Sequence, residues 1–399
     1  MDPYYLDFLG LLVRWLHVIA GIAWVGSSFY FIWLDQSLEA PPPGSDAAKK
    51  GVGGELWAVH GGGFYNPQKY LVAPATLPEK LHWFKWEAYT TWLSGTALLV
   101  LVYWLRAGAI MVDANVRALT PLQAVGLGAA SMIGAWIIYD LLCKSPLGRR
   151  EGLLGRVVFA LTAALAWSLA HAFGGRAAFI HVGTALGTIM AANVAMVIIP
   201  AQRRMVAAMR AGQAPDPGDG RRAKQRSVHN NYFTLPVIFL MVSNHYAAIY
   251  AHAWNWAVLM LIVAAGVSLR HFFNRKHQGV YAWQYPALGA VLLGLAAWWS
   301  APHLPPLPPV QGEVSFNRVR GIIAQRCVVC HSPAPTFPGI TVPQAGVLLH
   351  TPADILFNAQ RLYQQVAITR IMPLGNVTQM TDQERAVVAA WVKAGAKPE

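Results

Sequence analysis

Two cysteines and a histidine in the C-terminal part of the chain have the spacing of a covalent haem site. Cys327 and Cys330 are separated by two residues, and His331 follows immediately. Thiols with this spacing form thioether bonds to a c-type haem, and the adjacent histidine binds the iron. A zinc site requires a second ligand pair, whereas the third cysteine, Cys143, lies far away in an apolar run. A thioredoxin-like motif requires a βαβ context, which the sequence lacks. The sequence therefore predicts haem c, and Pro338 is a candidate to orient the histidine ring through its carbonyl.

The second axial ligand of this haem is predicted in a Met-Pro segment downstream. Met372 lies in the sequence Ile-Met-Pro-Leu, and a thioether opposite histidine raises the haem reduction potential. Met380 is the alternative, but it precedes a predicted helix over 381–392 that starts with acidic residues, so a core position is favoured. The order of elements over 313–399 is a helix, the CxxCH motif, loops, the Met-Pro loop and a terminal helix. That order resembles a small class I cytochrome c.

The composition places the remainder of the chain in a membrane. Of 399 residues, 55% are hydrophobic and only 12% are charged, about half the usual charged share. We expect an all-α polytopic membrane protein with a small soluble tail. The net charge of +13 does not indicate a nucleic-acid partner, because the basic residues lie in loops predicted on one side of the membrane. With two of three cysteines assigned to haem, no disulfide is expected, and the first apolar run is interpreted as a retained span rather than a cleaved signal peptide.

Eight apolar runs have the length of a membrane span, which is about 20 residues. They lie near 8–34, 84–105, 121–142, 153–173, 177–200, 232–251, 253–270 and 281–300. The predicted domains are accordingly a transmembrane domain over 1–300, a linker with five prolines over 301–312, and a cytochrome c domain over 313–399.

Lysine and arginine define the orientation of these spans. The loops on one side carry eighteen of them, and the loops on the other side carry Arg106, Arg117 and Arg176. The positive-inside rule makes the first set cytoplasmic, so the N-terminus and the cytochrome domain are expected in the periplasm of a bacterial inner membrane. Haem c is attached outside the bacterial cytoplasm, which agrees with this orientation.

Several ionisable residues fall within the predicted spans, where they are costly and usually face a cavity or the bundle interior. Arg14 and His17 share one face of the first span with Gly10, Gly21, Trp24 and Ser28. His171, His181 and His245 lie at a similar outer depth in other spans. Together with His17 they are candidates for a second redox or metal site that binds haem b or a metal ion. The alternative is that each histidine is a hydrogen-bonded core or interfacial residue, and the sequence leaves both readings open.

A second polar group lies at the cytoplasmic ends of the spans. It comprises His82, Lys85, Glu87, Thr91, Ser94, Asp140, His229, Asn230 and His271. A proton path is one interpretation. The alternative is that these side chains extend to the membrane interface or stabilise the helix ends by their charge, without a role in transport. The long loop over 35–83, rich in glycine and aromatic residues, is either functional or a plain cytoplasmic cap.

Several segments together resemble a known enzyme family, the bacterial membrane-bound urate oxidases (urate hydroxylases) that carry their own cytochrome c. The segments are RWLHVIAGIAWVG at 14–26, GGGFY at 61–65, HWFKWE at 82–87, HNNYFTLP at 229–236 and CVVCH at 327–331. The resemblance implies that urate and water yield 5-hydroxyisourate, two protons and two electrons. It further implies that the electrons leave through haem c to a respiratory chain, by way of a cytochrome c or terminal oxidase, rather than directly to oxygen. It assigns no urate-binding residue.

The chemistry of urate constrains where it binds. The planar anion needs a cation, hydrogen-bonding partners for its ring edges, an aromatic face and a base. Arg14 and His17 offer a cation and a base, while His181 and His245 are further catalytic candidates, with Thr184 and Asn244 beside them. Trp24 is a candidate stacking partner, and a cytoplasmic site around His60, Phe64, Lys85 and Glu87 is the alternative. Since haem c takes one electron at a time, two electrons require either two rounds of haem oxidation or a second centre.

Two other functions fit parts of the sequence. One is a membrane dehydrogenase for another small molecule, such as a different purine or a quinol. The other is a membrane-anchored electron carrier without its own catalysis, although such a carrier needs only one anchor helix.

Overall fold

The computed structural model describes residues 3–301, 304–338, 340 and 342–398, and 66% of the chain is helical. The helices of the described part are numbered in chain order. They are α1 Pro3–Ser37, α2 Asp46–Lys49, α3 Trp86–Leu98, α4 Ala107–Ile110, α5 Pro121–Lys144, α6 Glu151–Ala170, α7 Gly175–Ala192, α8 Ile199–Arg210, α9 Pro217–Ser243, α10 Ala247–Tyr250, α11 Asn255–His277, α12 Gln284–Ser300, α13 Phe316–Arg326, α14 Pro352–Phe357, α15 Ala359–Leu362 and α16 Asp382–Lys393.

Five helical segments of the described chain are long and apolar enough to cross a membrane. They are Phe8–Ser37, Pro121–Lys144, Glu151–Ala170, Gly175–Arg210 and Asn255–His277. The fourth joins α7 to α8 through a π-helical turn at Asn193–Ile198. The prediction of several apolar helices is therefore confirmed, and five of the eight expected spans correspond to these segments.

The other three expected spans are also helical, but shorter or more polar. The run at 84–105 forms α3 and a π-helical turn at Leu99–Trp104. The run at 281–300 forms the 17-residue α12. The run at 232–251 ends earlier than expected, because α9 stops at Ser243, and its helix begins far upstream, where Asp216 caps the first turn. The apolar run alone does not indicate this polar extension.

Part of the loop that follows α1 folds into β-structure, so the all-α expectation is wrong locally. The strands β1 Val52–Glu55 and β4 Gln68–Tyr70 pair antiparallel, as do β2 Ala58–His60 and β3 Gly63–Tyr65. Asp35, near the end of α1, forms ion pairs with Lys69 on β4 and with Lys224 on α9, at 2.9 Å for the latter. These pairs hold the loop against the helix ends that carry most of the lysines and arginines.

Helix α7 lies at the centre of the bundle. Most of its residues are buried, and it packs against α5, α6 and α9. Gly175, at its start, cannot carry a side chain because a Cβ there would lie 1.9 Å from the carbonyl oxygen of Tyr250. The core around α7 includes the fully buried side chains of Phe173, Phe179 and Leu240.

The C-terminal residues have an apolar core of their own. Helices α13 and α16 pack together, with the rings of Phe316 and Trp391 5.6 Å apart. The helix predicted at 381–392 is confirmed as α16, whose first turn is closed by a capping box between Thr381 and Glu384.

Candidate functional site

One cavity of about 2750 Å³ is shared by the helical bundle and the C-terminal unit. Its walls include α1, α3 and α7 on one side and the segments around the CxxCH and Met-Pro motifs on the other. The two parts also touch directly: the amide Nδ2 of Asn115 donates to the carbonyl oxygen of Gly375 at 3.1 Å. The Met-Pro loop therefore lies against a loop end of the bundle that carries few basic residues.

The residues predicted to bind haem c all line this cavity. They are Cys327, Cys330, His331 and Met372, and Met380 is not among the lining residues. Met380 is instead 3% exposed within the core of the C-terminal unit, which favours Met372 as the sulfur ligand.

Neighbouring groups hold the two proposed axial ligands in place. The Nδ1 atom of His331 lies 3.0 Å from the carbonyl oxygen of Val347, so Nε2 is the nitrogen available for iron. Val347 thus takes the orienting position that the sequence assigned to Pro338. The carbonyl of Met372 accepts a hydrogen bond from the buried guanidinium of Arg385 at 2.7 Å. These features fit a c-type haem that would be attached through thioether bonds to Cys327 and Cys330. Its iron would be bound by the imidazole of His331 and the sulfur of Met372.

The two thiols are in the protonated form at neutral pH. Burial raises the pKa of Cys327 to about 12 and raises the pKa of the less buried Cys330 above its ordinary value.

The cavity lining is strongly cationic. It includes Arg14, Arg106, Arg176, Arg326, Arg361 and Arg370, while Asp113 is the one carboxylate among the described lining residues. A cavity lined by one sign of charge concentrates ligands of the opposite sign. The lining therefore suits anions, which include a purine anion and the propionates of a haem.

Arg14 and His17 both line the cavity from α1, as their shared helix face predicted. The Nδ1 atom of His17 lies 3.0 Å from the carbonyl oxygen of Thr91 and 3.1 Å from Oγ of Ser94. Gly95 makes this approach possible, since a Cβ there would lie 2.8 Å from the imidazole. The ring is thus fixed against α3 through Nδ1, which leaves Nε2 as the nitrogen that a bound ligand could contact.

His181 has a different environment from the other three histidines. It is fully buried and does not line the cavity. Its Nδ1 lies 2.8 Å from the carbonyl oxygen of Ala177, and its Nε2 accepts from the indole of Trp104 at 3.2 Å. Both ring nitrogens therefore have protein partners, which is the arrangement of a neutral structural histidine.

His171 and His245 line the cavity and are exposed. His171 bonds through Nδ1 to the carbonyl oxygen of Trp167 at 2.8 Å. Within the described part of the chain, no group of three or more His, Cys, Asp or Glu side chains is placed to hold a metal ion. The second centre with haem b or a metal stays a prediction.

Three cavity residues that the sequence did not single out as a group carry polar atoms without a partner. They are the hydroxyl of Tyr103, Nε of Arg176 and Oδ1 of Asn244, all buried and without a hydrogen bond of normal geometry to any described residue, although the Tyr103 hydroxyl faces the guanidinium of Arg176. The guanidinium of Arg176 lies 6.0 Å from the centre of the Tyr103 ring. Buried polar groups are nearly always paired, so these atoms are candidates to contact a bound ligand. Arg176 was counted only as a loop charge, because sequence spacing does not reveal which side chains meet across helices.

The alternative cytoplasmic site is not part of this cavity. His60 and Phe64 lie on the exposed β2–β3 hairpin, and Lys85 lies over the ring of Trp86, 5.4 Å from its centre. None of these residues, nor Glu87, is among the described cavity lining.

Asp140, His229 and Asn230, three residues of the predicted proton path, belong to a network of hydrogen bonds. Asp140 binds the buried Arg226 at 2.8 Å, and the hydroxyl of Tyr139 lies 2.7 Å from Nδ1 of His229. The other ring nitrogen of His229 lies 3.2 Å from the exposed carboxylate of Glu151. The contacts are those of a stabilising network, and transport of protons through it stays a prediction.

The fold and the cavity define a helical protein with several apolar segments compatible with a membrane and a cationic ligand cavity. A model of the family described as "Urate oxidase N-terminal" matches residues 3–301, about three quarters of the chain, and the chain belongs to that family. The family membership supports an oxidoreductase that acts on urate. No curated protein and no solved structure matches the chain.

Proposed function

We propose that the protein oxidises urate with water to 5-hydroxyisourate in the bundle part of the cavity and transfers the electrons to haem c in the C-terminal part. The observation that carries this proposal is the continuity of the cavity, because its walls include both the arginines of the bundle and the CxxCH and Met-Pro motifs. A substrate bound between α1 and α7 would then lie in the same cavity as the electron acceptor.

Arg14 and Arg176 are proposed to bind the urate anion. Both line the bundle part of the cavity, and a planar guanidinium matches adjacent acceptors on the edge of a planar anion. Tyr103 and Asn244 supply a hydroxyl and an amide for the remaining ring atoms, since neither the Tyr103 hydroxyl nor Oδ1 of Asn244 makes a hydrogen bond of normal geometry to a described residue. Trp24, which also lines the cavity, offers an aromatic face.

His17 is proposed as the base of the reaction. Its Nδ1 is held by Thr91 and Ser94, so Nε2 can take a proton from the attacking water. The oxygen of that water forms the new C–O bond, two protons pass to solvent, and two electrons leave the purine. His181 has no place in this scheme because both its ring nitrogens are already bonded.

The bound haem c would accept these electrons one at a time. Cys327 and Cys330 would anchor it covalently, and His331 and Met372 would bind the iron. We further propose eight membrane spans, a bacterial inner-membrane location, and a periplasmic N-terminus and C-terminal domain. The contact between Asn115 and Gly375 supports this orientation, because it lies at the helix ends poor in lysine and arginine. The external acceptor is then a periplasmic cytochrome c or a membrane terminal oxidase.

Steady-state turnover with an artificial electron acceptor tests the substrate site. We expect Arg14→Gln and His17→Ala to lose urate oxidation while the haem stays attached and reducible by dithionite. Arg117→Gln is the matched control, because Arg117 is exposed at the same end of the bundle and does not line the cavity. Wild-type turnover in either cavity variant would remove that residue from the mechanism. A panel of other purines and quinols separates urate oxidation from a different dehydrogenase activity, and haem and metal analysis per chain tests for a second centre.

A further inference from the structure

A second, smaller pocket lies between α1 and α11, towards the C-terminal ends of both helices. Its volume is about 460 Å³, and it is lined by Phe29, Tyr30, Trp33, Arg270, Phe273 and His277. No residue of this set lines the large cavity, and neither the family match nor the proposed reaction assigns it a role.

Arg270 is the unusual residue of this pocket. It is only 5% exposed, yet its Nε and Nη2 atoms have no hydrogen-bond partner among the described residues. The guanidinium lies 4.1 Å from the centre of the Phe29 ring, which covers one of its faces. Nδ1 of His277, in the same pocket, also lacks a partner.

The two other deeply buried arginines of the described chain have acceptors. Arg226 binds the carboxylate of Asp140, and Arg385 binds the carbonyl oxygens of Val366 and Met372. Leaving charged donors unpaired in a buried site is costly. The comparison indicates that the acceptor for Arg270 belongs to another molecule.

The unpaired atoms of Arg270 define the kind of acceptor. Nε and Nη2 form the side-on fork of a guanidinium. Arg204 binds both carboxylate oxygens of Asp219 with this edge, whereas Arg326 directs it at one oxygen of Glu384, at 3.1 and 3.0 Å. The fork therefore selects an oxyanion with two oxygens side by side, such as a phosphate.

The position of the pocket favours a phosphate that belongs to a lipid. Tyr30 and Phe273 at its walls are 46% and 43% exposed on the outer surface of the bundle. Trp33 lies four residues before the end of α1, which is about 6 Å along a helix axis. The last turn of α11 carries Arg275 and Lys276, and aromatic and basic side chains at this depth are typical of the level of lipid headgroups.

We propose that this pocket binds the phosphate group of an anionic membrane lipid through Arg270. The acyl chains then lie along the apolar outer faces of α1 and α11. The bound lipid links these two helices at the end where Asp35 secures the β-structured loop.

The test uses the full-length protein in a zwitterionic detergent and measures its melting temperature against added lipid or salt. Phosphatidylglycerol should raise the melting temperature of the wild type. Arg270→Gln should need a lipid concentration at least about tenfold higher for the same rise. Arg275→Gln is the matched control, since it removes the same charge from an exposed position on the same helix and should respond like the wild type. An unchanged response of Arg270→Gln, or an equal loss in Arg275→Gln, would overturn the proposal.

Two further arms identify the source of the phosphate and keep the test decisive. Inorganic phosphate that reproduces the stabilisation in an Arg270-dependent way assigns the pocket to a soluble oxyanion instead of a lipid. If Arg270→Gln does not fold, Arg270→Lys keeps the charge without the fork and should still weaken the phosphatidylglycerol response. A wild-type response in Arg270→Lys, or displacement of the lipid by urate, would contradict a separate oxyanion site.

Discussion

Removing one hydroxyl should affect the activity and the stability of this protein in opposite ways, depending on which buried tyrosine loses it. Tyr103 and Tyr139 are 5% and 3% exposed, and both belong to the core of the bundle. The hydroxyl of Tyr139 has partners in His229 and Asn193, whereas the hydroxyl of Tyr103 faces the guanidinium of Arg176 without a hydrogen bond of normal geometry. The variants Tyr103→Phe and Tyr139→Phe therefore compare a hydroxyl that is proposed to contact the substrate with one that stabilises the folded bundle.

The magnitudes follow from the energetics of hydrogen bonds. A hydrogen bond to a charged group contributes about 1.5–3 kcal/mol, so Tyr103→Phe should lower kcat/KM for urate by about 10- to 150-fold. Because that hydroxyl makes no hydrogen bond of normal geometry in the structure, its removal should change the melting temperature little. Tyr139→Phe removes a partner of buried donors in its network, which should lower the free energy of unfolding by about 1–3 kcal/mol. Each kcal/mol corresponds to a fall of ~2–4 °C in the melting temperature. Its kcat/KM should stay near the wild-type value.

The assay combines thermal unfolding of the detergent-solubilised protein with urate-dependent reduction of an artificial electron acceptor. Wild-type kcat/KM in Tyr103→Phe would refute the placement of urate beside this hydroxyl. A melting temperature that falls as much in Tyr103→Phe as in Tyr139→Phe would show that the hydroxyl of Tyr103 has a structural partner.

Three further predictions concern the network, the haem ligand and pH. Asp140→Ala should destabilise the bundle by about 3–5 kcal/mol because it removes the carboxylate partner of the buried Arg226, which keeps only the neutral Oδ1 of Asn193 as an acceptor. Lys144→Ala, which removes only the exposed partner of Asp140, should cost about 0–1 kcal/mol in the same melting assay. Met372→Ala should lower the haem potential in a redox titration. Met380→Ala should leave the potential unchanged and destabilise the protein by about 2–5 kcal/mol, because it truncates a core side chain. A lower potential in Met380→Ala and an unchanged potential in Met372→Ala would make Met380 the ligand. Burial alone would raise the pKa of Glu384, but the Thr381 backbone N–H and the Arg326 guanidinium outweigh it and hold the pKa below its ordinary value of 4.5. The Glu384 carboxylate therefore contributes its full stability above pH 4.5, and this contribution is lost as the pH falls through the lowered pKa. On acidification, the melting temperature of the wild type should fall towards that of Glu384→Gln.

The sequence predicts the helices better than it predicts their contacts. The apolar runs at 121–142 and 153–173 correspond closely to α5 and α6, because hydrophobicity over that length depends only on local composition. The strands around Val52 and Tyr70 were missed, since they are short, glycine-rich and paired across an intervening hairpin. Helix α9 begins in a charged segment that hydropathy does not associate with a span.

The candidate site shows the same limit. The shared face of Arg14 and His17 follows from helical periodicity, and both residues line the cavity. His181 looked equivalent to His17 in the sequence, but the packing of Trp104 and Gly128 against it is a property of the assembled bundle. The cavity positions of Tyr103, Arg176 and Asn244 likewise depend on which helices meet, and no residue spacing records this.

Anaerobic addition of urate to the oxidised full-length protein, followed by the haem c absorption spectrum, tests the central claim most directly. We predict that urate reduces the haem without oxygen, that two haem equivalents are reduced per urate consumed, and that Cys330→Ala loses this signal. Urate oxidation that requires oxygen while the haem stays oxidised would contradict the account.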